Sequence, residues 1–254
     1  MSITASDLII YGATGIAEDD TTQQGGGIDA EVRYVFDDST LANTLNDTVD
    51  VVSDNAGDTT QTVTVTGRLS TGVIDTEDFT LNGASEQTGS TTFERILKVV
   101  CDAAHFGTIN VEDNGTSTTI LDMESGVLAV RRPFYNVASA VATGASRDYY
   151  EKVFMKNTNA SFALLSASIL ESADPTGIIT FTLEDAQDDN ELIASRLNTA
   201  PTGISEAFSD DAKDVPGTNV DPASAIGVWM KMTLVAGAAA GKSTWVMNTT
   251  GSTV

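Results

Sequence analysis

The stretch from Thr59 to Gly83, TTQTVTVTGRLSTGVIDTEDFTLNG, constrains the fold of this chain most. Val63 and Val65 alternate with Thr62, Thr64 and Thr66. A period of two puts the valines on one face and the hydroxyls on the other, the pattern of a half-buried strand. A turn stretch from Gly67 to Gly72 comes next, and then Phe79 and Leu81 alternate with Asp78 and Thr80 up to Asn82-Gly83. Two such runs about a Gly-bounded loop predict a β-hairpin.

The same grammar recurs along the chain. Strands are predicted at Glu31–Phe36, Val49–Val52, Thr108–Val111, Thr118–Leu121 and Gly126–Val130. The segment Phe93–Ala104 fits a helical spacing through Phe93, Ile96, Leu97 and Val100, but its surroundings favour a buried strand. A small-residue stretch, Asn136 to Arg147, reads as a domain boundary. Beyond it, Tyr149–Asn157, Phe162–Leu170, Ile178–Leu183, Gly227–Val235 and Ser243–Met247 read as strands, with Phe162, Leu164, Ser166, Ser168 and Leu170 sharing one face. The turn-rich stretch Glu184–Asp221 reads as irregular excursions. The opening segment combines Leu8-Ile9-Ile10-Tyr11, the acids Glu18-Asp19-Asp20 and the run Gly25-Gly26-Gly27. Triple glycine beside a charge cluster reads as an extended N-terminal arm that orders on a partner. The expectation is an all-β chain: an arm (1–30), a β-rich domain (31–135) and an immunoglobulin-like β-sandwich (136–254), the last label being architectural because the Cys…Trp…Cys spacing of antibody domains is absent.

Charge narrows function. With 36 acidic and 13 basic residues the formal net charge is −23, which opposes binding to a phosphate backbone or to an anionic membrane. Residues 1–60 hold twelve Asp and Glu against one base, Arg33. Such asymmetry keeps a protein soluble and steers it toward basic partners. The lone Cys101 forbids an intrachain disulfide. The opening MSITASDLIIYG lacks a basic, apolar leader pattern, and no apolar run approaches the ~20 residues of a spanning helix, so cytoplasmic synthesis is expected.

Motifs with chemical content carry little weight. Ala236 to Ser243, AGAAAGKS, matches a relaxed phosphate loop, but Thr244–Met247 reads as a strand where a helix is required. Tyr11-Gly12-Ala13-Thr14-Gly15 resembles a dinucleotide-binding turn, but Glu18-Asp19-Asp20 opposes a pyrophosphate. The acids Asp185, Asp188, Asp189 and Glu191, and separately Asp210, Asp211 and Asp214, lack the twelve-residue calcium-loop pattern. His105 has no visible catalytic partner, and Cys101 lies in an apolar segment. No catalytic residue, cofactor or metal is expected.

Several stretches resemble tailed-bacteriophage virion structural proteins, over nearly the whole chain. They are SITASDLIIYGATGIAEDDTTQQGGGID, NAGDTTQTVTVTGRLSTGVIDTEDFTLNG, TTFERILKV, YYEKVFMKN and GVWMKMTLVAGAAAGKST. The resemblance implies a non-enzymatic capsid cement or decoration protein on the outer capsid surface. Its partners would be the major capsid protein and neighbouring copies of itself, with no nucleic acid and no membrane. Candidate capsid contacts are Leu8, Ile9, Ile10, Tyr11, Glu18, Asp19 and Asp20 of the arm, and the basic pair Arg131-Arg132, which could meet an acidic patch on a neighbouring copy but reads first as a structural salt bridge. A tail, neck or fibre-associated role is the alternative within a virion, and an adhesive or carbohydrate-binding module is the alternative outside it.

Overall fold

The structure is a computed structural model that describes residues 2–18, 22–34, 45–134, 136–174, 176–239 and 245–253. Among the described residues there is no α-helix, and the strands run, in order, β1 (Leu8–Gly15), β2 (Gln24–Arg33), β3 (Val49–Ser53), β4 (Thr62–Arg68), β5 (Ile74–Thr80), β6 (Gln87–Thr88), β7 (Arg95–Cys101), β8 (Ile109–Asp113), β9 (Thr118–Met123), β10 (Ala129–Arg131), β11 (Arg147–Asn157), β12 (Leu165–Ala173), β13 (Ile179–Gln187), β14 (Leu192–Ile193), β15 (Lys213–Asp214), β16 (Ala225–Leu234) and β17 (Val246–Ser252). The protein is all-β. It divides into two units: Met1–Asp29 with Phe134–Val254, and Ala30–Pro133.

The second unit is a sandwich of two sheets. One sheet has the end of β2 beside β10, then β7, β4 and β5; the other has the order β6-β3-β8-β9. The predicted hairpin is present, with β4 and β5 antiparallel from Thr62↔Thr80 to Arg68↔Ile74. Val63, Val65, Val99 and Val130 of the first sheet and Val49, Val51, Ile109 and Val111 of the second form one buried cluster. Inward valines from both sheets are what the period-two pattern requires. Phe93 is wholly buried in this core, and Gly67 leaves room for its ring. The segment around Phe93–Ala104 is a strand, β7, because its apolar residues contact both neighbours and the core. The predicted turn begins two residues later than read: β4 continues through Arg68, and Leu69 N–H bonds the Val73 carbonyl at 2.8 Å.

The first unit holds the order β13-β16-β11-β1-β2, with β14 beside β2, and a separate sheet β15-β12-β17. The stretch expected as an arm therefore departs from expectation. Leu8 to Tyr11 pair with Asn157 to Phe154, so the opening segment supplies strands of the sheet. The glycines are part of that sheet. At Gly25 (φ +105°) an added Cβ would lie 2.7 Å from the Trp229 ring and 2.6 Å from the Glu191 carbonyl oxygen. Only glycine allows the backbone to approach so closely in that conformation. A boundary at residue 136 is close to the observed Phe134, but the C-terminal segment shares its unit with residues 1–29. On β12 the buried face is Ala167 and Ile169, whereas Ser166 is exposed and Ser168 and Leu170 are half-buried. An irregularity between Leu165 and Ser168, with Ser166 at φ 48°, switches the faces relative to the simple alternation.

Candidate functional site

The most elaborately supported surface feature is a short loop in the second unit, between β7 and β8. It is anchored by the turn Asp54-Asn55-Ala56-Gly57-Asp58 between β3 and β4, where Asn55 Oδ1 accepts the Gly57 N–H at 2.8 Å, a turn that Asn favours through its side chain. This turn delivers Asp58 into the interior, fully buried. Its carboxylate accepts the Ser53 hydroxyl at 2.7 Å and the backbone N–H groups of Phe106 and Gly107 at 2.9 and 3.0 Å. Burial pushes the Asp58 carboxyl up, but those two N–H groups, the Ser53 hydroxyl and the nearby His105 together outweigh it and hold the acid below its ordinary value.

His105 is also buried, with Nδ1 2.7 Å from the Gly107 carbonyl oxygen and Nε2 2.8 Å from that of Val127. The Ser125 hydroxyl donates to the His105 carbonyl, and Gln61 Nε2 donates to that of Ala104 at 3.0 Å. Thr108 N–H bonds Asp54 Oδ1 at 2.8 Å. Every residue from Ala104 to Thr108 is thus tied to another segment. Between the buried His105 and Gly107, Phe106 stands 75% exposed. A buried imidazole and a buried carboxylate hold an apolar ring in water. The exposed carboxylates of Asp54, Asp102 and Glu124 belong to segments that this network joins. Phe106 is thus a fixed, exposed aromatic on a loop joined to segments that carry exposed acids.

The residues expected to contact a capsid are placed otherwise. Leu8, Ile9 and Ile10 are half-buried in β1, and Tyr11 is buried against Ala13, Phe154 and Ala225. Glu18 is exposed, while Asp19 and Asp20 lie outside the described residues. Arg131 and Arg132 are buried, at 1% and 7% exposure. Arg132 Nε donates to the Ile96 carbonyl at 2.9 Å, and the Arg131 guanidinium lies 5.7 Å from the Tyr34 ring centroid. The basic pair serves the interior and offers no outer contact. The structure brings Leu8 to Tyr11 into one strand of the first unit and assigns the arginines to the second.

Sequence reasoning missed a second charged cluster. Lys152 and Glu184, both with fully buried side chains, meet at 2.5 Å. Lys152 also donates to the carbonyl oxygen of Gly26 at 2.9 Å and lies 4.7 Å from the Phe154 ring centroid. Trp229 Nε1 donates to the same Glu184 oxygen at 3.1 Å, and the other oxygen, Oε2, has no hydrogen-bond partner among the described residues. Burial pushes Glu184 up to about 7 and Lys152 down, and each partner partly restores the other. Alternation along β16 places Trp229 and Lys231 together on one face, which is the only local hint of it.

The other motifs resolve locally. Tyr11–Gly15 lies within β1, with no helix after it. Ala240–Thr244 of the phosphate-loop-like run lies outside the described residues, and its start is a turn in which Ala238 N–H bonds the Val235 carbonyl. Glu191 accepts from Thr202 and Gly203, and Asp188 from Ala225 N–H, so these acids brace loops. Among the described residues no three His, Cys, Asp or Glu side chains are grouped to hold a metal ion. Cys101 is buried, and burial raises its thiol. Comparison of the chain with protein-family models, curated proteins and solved structures finds no match.

Proposed function

We propose that this chain is a non-enzymatic structural protein of a tailed-bacteriophage particle, of the cement or decoration type. It binds the outer surface of the major capsid protein lattice and stabilises the shell. The reading rests on the resemblance of its sequence to such proteins. The observation that carries it is Phe106, held 75% exposed by a buried acid and a buried histidine. That arrangement spends interior polar groups on presenting a contact, which is the work of a binding surface. A net charge of −23 favours the outside of a DNA-filled shell, where repulsion from packaged phosphate is weakest. Binding to the assembled lattice stabilises it by mass action, and many copies make individually weak contacts effective.

The test is copy number, by quantitative mass spectrometry of purified virions and of tail-less heads. A count comparable to the coat protein and retained on heads supports decoration. A low count lost with the tail moves the protein to the tail, neck or fibre. Absence from both removes the virion reading.

A further inference from the structure

We propose that β17 pairs with β17 of a second copy of this chain, antiparallel about a two-fold axis, so that two three-stranded sheets join into one of six strands. The inference stands whether or not the protein belongs to a virion.

Among the described residues β17 pairs with β12 alone, so one edge presents a row of unpaired N–H and C=O groups. Exposed edges of this kind recruit another strand unless something prevents it: a charge, a proline, a bulge, a very short strand or a cover. The other sheet ends carry such devices. β5 bears Asp75, Glu77 and Asp78. β9 bears Asp122, with Glu124 just beyond it. β6 has two residues. β13 is covered by bridges from Phe181 to Ser209 and from Glu184 to Ile204. β17, VMNTTGS, has none of them. It contains no ionisable residue and no proline, and the two irregularities in its pairing place the extra residue on β12 each time. Seven residues extend about 24 Å. The strand is held in place at its start, where Trp245 Nε1 donates to Glu171 at 2.8 Å and its ring lies edge-on to Phe181 at 5.9 Å.

Charge selects the occupant. A basic partner gains nothing from an edge without carboxylates, and finds them on β5. Two copies at −23 each repel, and only a contact free of opposed acids lets them meet. Residues 157–170 and 245–253 lack any ionisable side chain, so both β17 and most of the neighbouring β12 are neutral. Exposed Asn248 and Thr250 then supply cross-strand hydrogen-bonding pairs in place of charges.

Sedimentation equilibrium of the full chain over a range of concentrations tests this. The wild type is expected to dimerise, and more tightly as NaCl screens the net repulsion. The double variant Asn248→Glu/Thr250→Glu, altering two exposed side chains, should weaken association at least about tenfold. Ser70→Glu/Thr71→Glu, adding the same charge at an exposed turn of the second unit, should weaken it far less. Hydrogen exchange of the wild type keeps the test independent of how the variants fold: amides of 246–252 should gain protection as concentration rises. A monomer at all concentrations, equal association of the two double variants, association that weakens with salt, or exchange at β17 independent of concentration would each overturn the proposal.

Discussion

Replacing Asp58 with alanine should loosen the second unit and release Phe106 together. The carboxylate accepts three hydrogen bonds between 2.7 and 3.0 Å, from Ser53, Phe106 and Gly107. The Ser53 hydroxyl can rotate toward another acceptor, but the two backbone N–H groups are fixed by the loop. Each buried donor left unpaired costs about 1–3 kcal/mol, so the two together cost about 3 kcal/mol. In a unit of this size that lowers the melting temperature by about 10–20 °C. Both tryptophans, Trp229 and Trp245, lie in the first unit, so their fluorescence does not report the loss. Far-UV circular dichroism with chemical denaturation does, and hydrogen exchange localises it to the amides of Phe106 and Gly107. Asp58 also has a pH signature. Its folded value lies below the ordinary 3.8, so its contribution is complete above that value and disappears as pH falls through the folded value. A cost below about 1 kcal/mol, or unchanged exchange at Phe106 and Gly107, would refute the account of the loop.

Phe106→Ala should leave the fold stable, since the ring is 75% exposed, and under the decoration proposal it should reduce binding to shells lacking the protein by about thirtyfold in a co-sedimentation assay, the loss expected of an aromatic anchor. Lys152→Met should destabilise the first unit by about 3–5 kcal/mol by leaving Glu184 buried without its cation, whereas Lys152→Met/Glu184→Leu should recover most of it; Trp229 fluorescence during denaturation measures both. Glu184 is raised from 4.5 to about 7, so the folded state holds a proton that the unfolded chain has released, and this group's contribution is full below pH 4.5 and lost as pH rises through about 7. The lowered Lys152 acts oppositely at higher pH. The stability difference between wild type and Glu184→Gln, read by the same fluorescence, should therefore shift against the wild type between pH 4.5 and 7. Gly25→Ala should destabilise the first unit, because its Cβ meets the Trp229 ring, and the emission of Trp229 should report the displacement.

The parts of the fold legible in the sequence are those decided by neighbours a few residues apart. Val63, Val65 and Phe79 announce β4 and β5 because one side of each strand faces a core and the other faces water. Residues 24–30 carry no such signal, although the strand read at Glu31–Phe36 overlaps the end of β2. Gly25 is explained by Trp229 and Glu191, far later in the chain, and no local rule connects them. Arg131 and Arg132 read in sequence as a structural salt bridge or a patch contact, and the acceptor that Arg132 uses, the Ile96 carbonyl, is brought to it only by folding. The candidate surface was half legible. The neighbours Ala103, Ala104 and Phe106 mark His105 as a packed or loop histidine, but the link from Asp58 to Phe106 spans 48 positions and exists only in three dimensions.

The division of the chain into units has a consequence for its synthesis. Residues 30–133 can complete their own contacts once they have left the ribosome, whereas residues 1–29 must wait for the C-terminal half of their unit. The apolar run Leu8-Ile9-Ile10-Tyr11 lies between β2 and β11, and its second partner strand is complete only when Phe154 to Asn157 emerge. At translation rates of 5–20 residues per second the delay is roughly 7–30 s. For that time an apolar strand stays on the nascent polypeptide with one of its two neighbours unmade. Crowded polysomes would punish such an interval, and a chaperone that shields the first dozen residues should raise the yield of native protein more than one that acts after release.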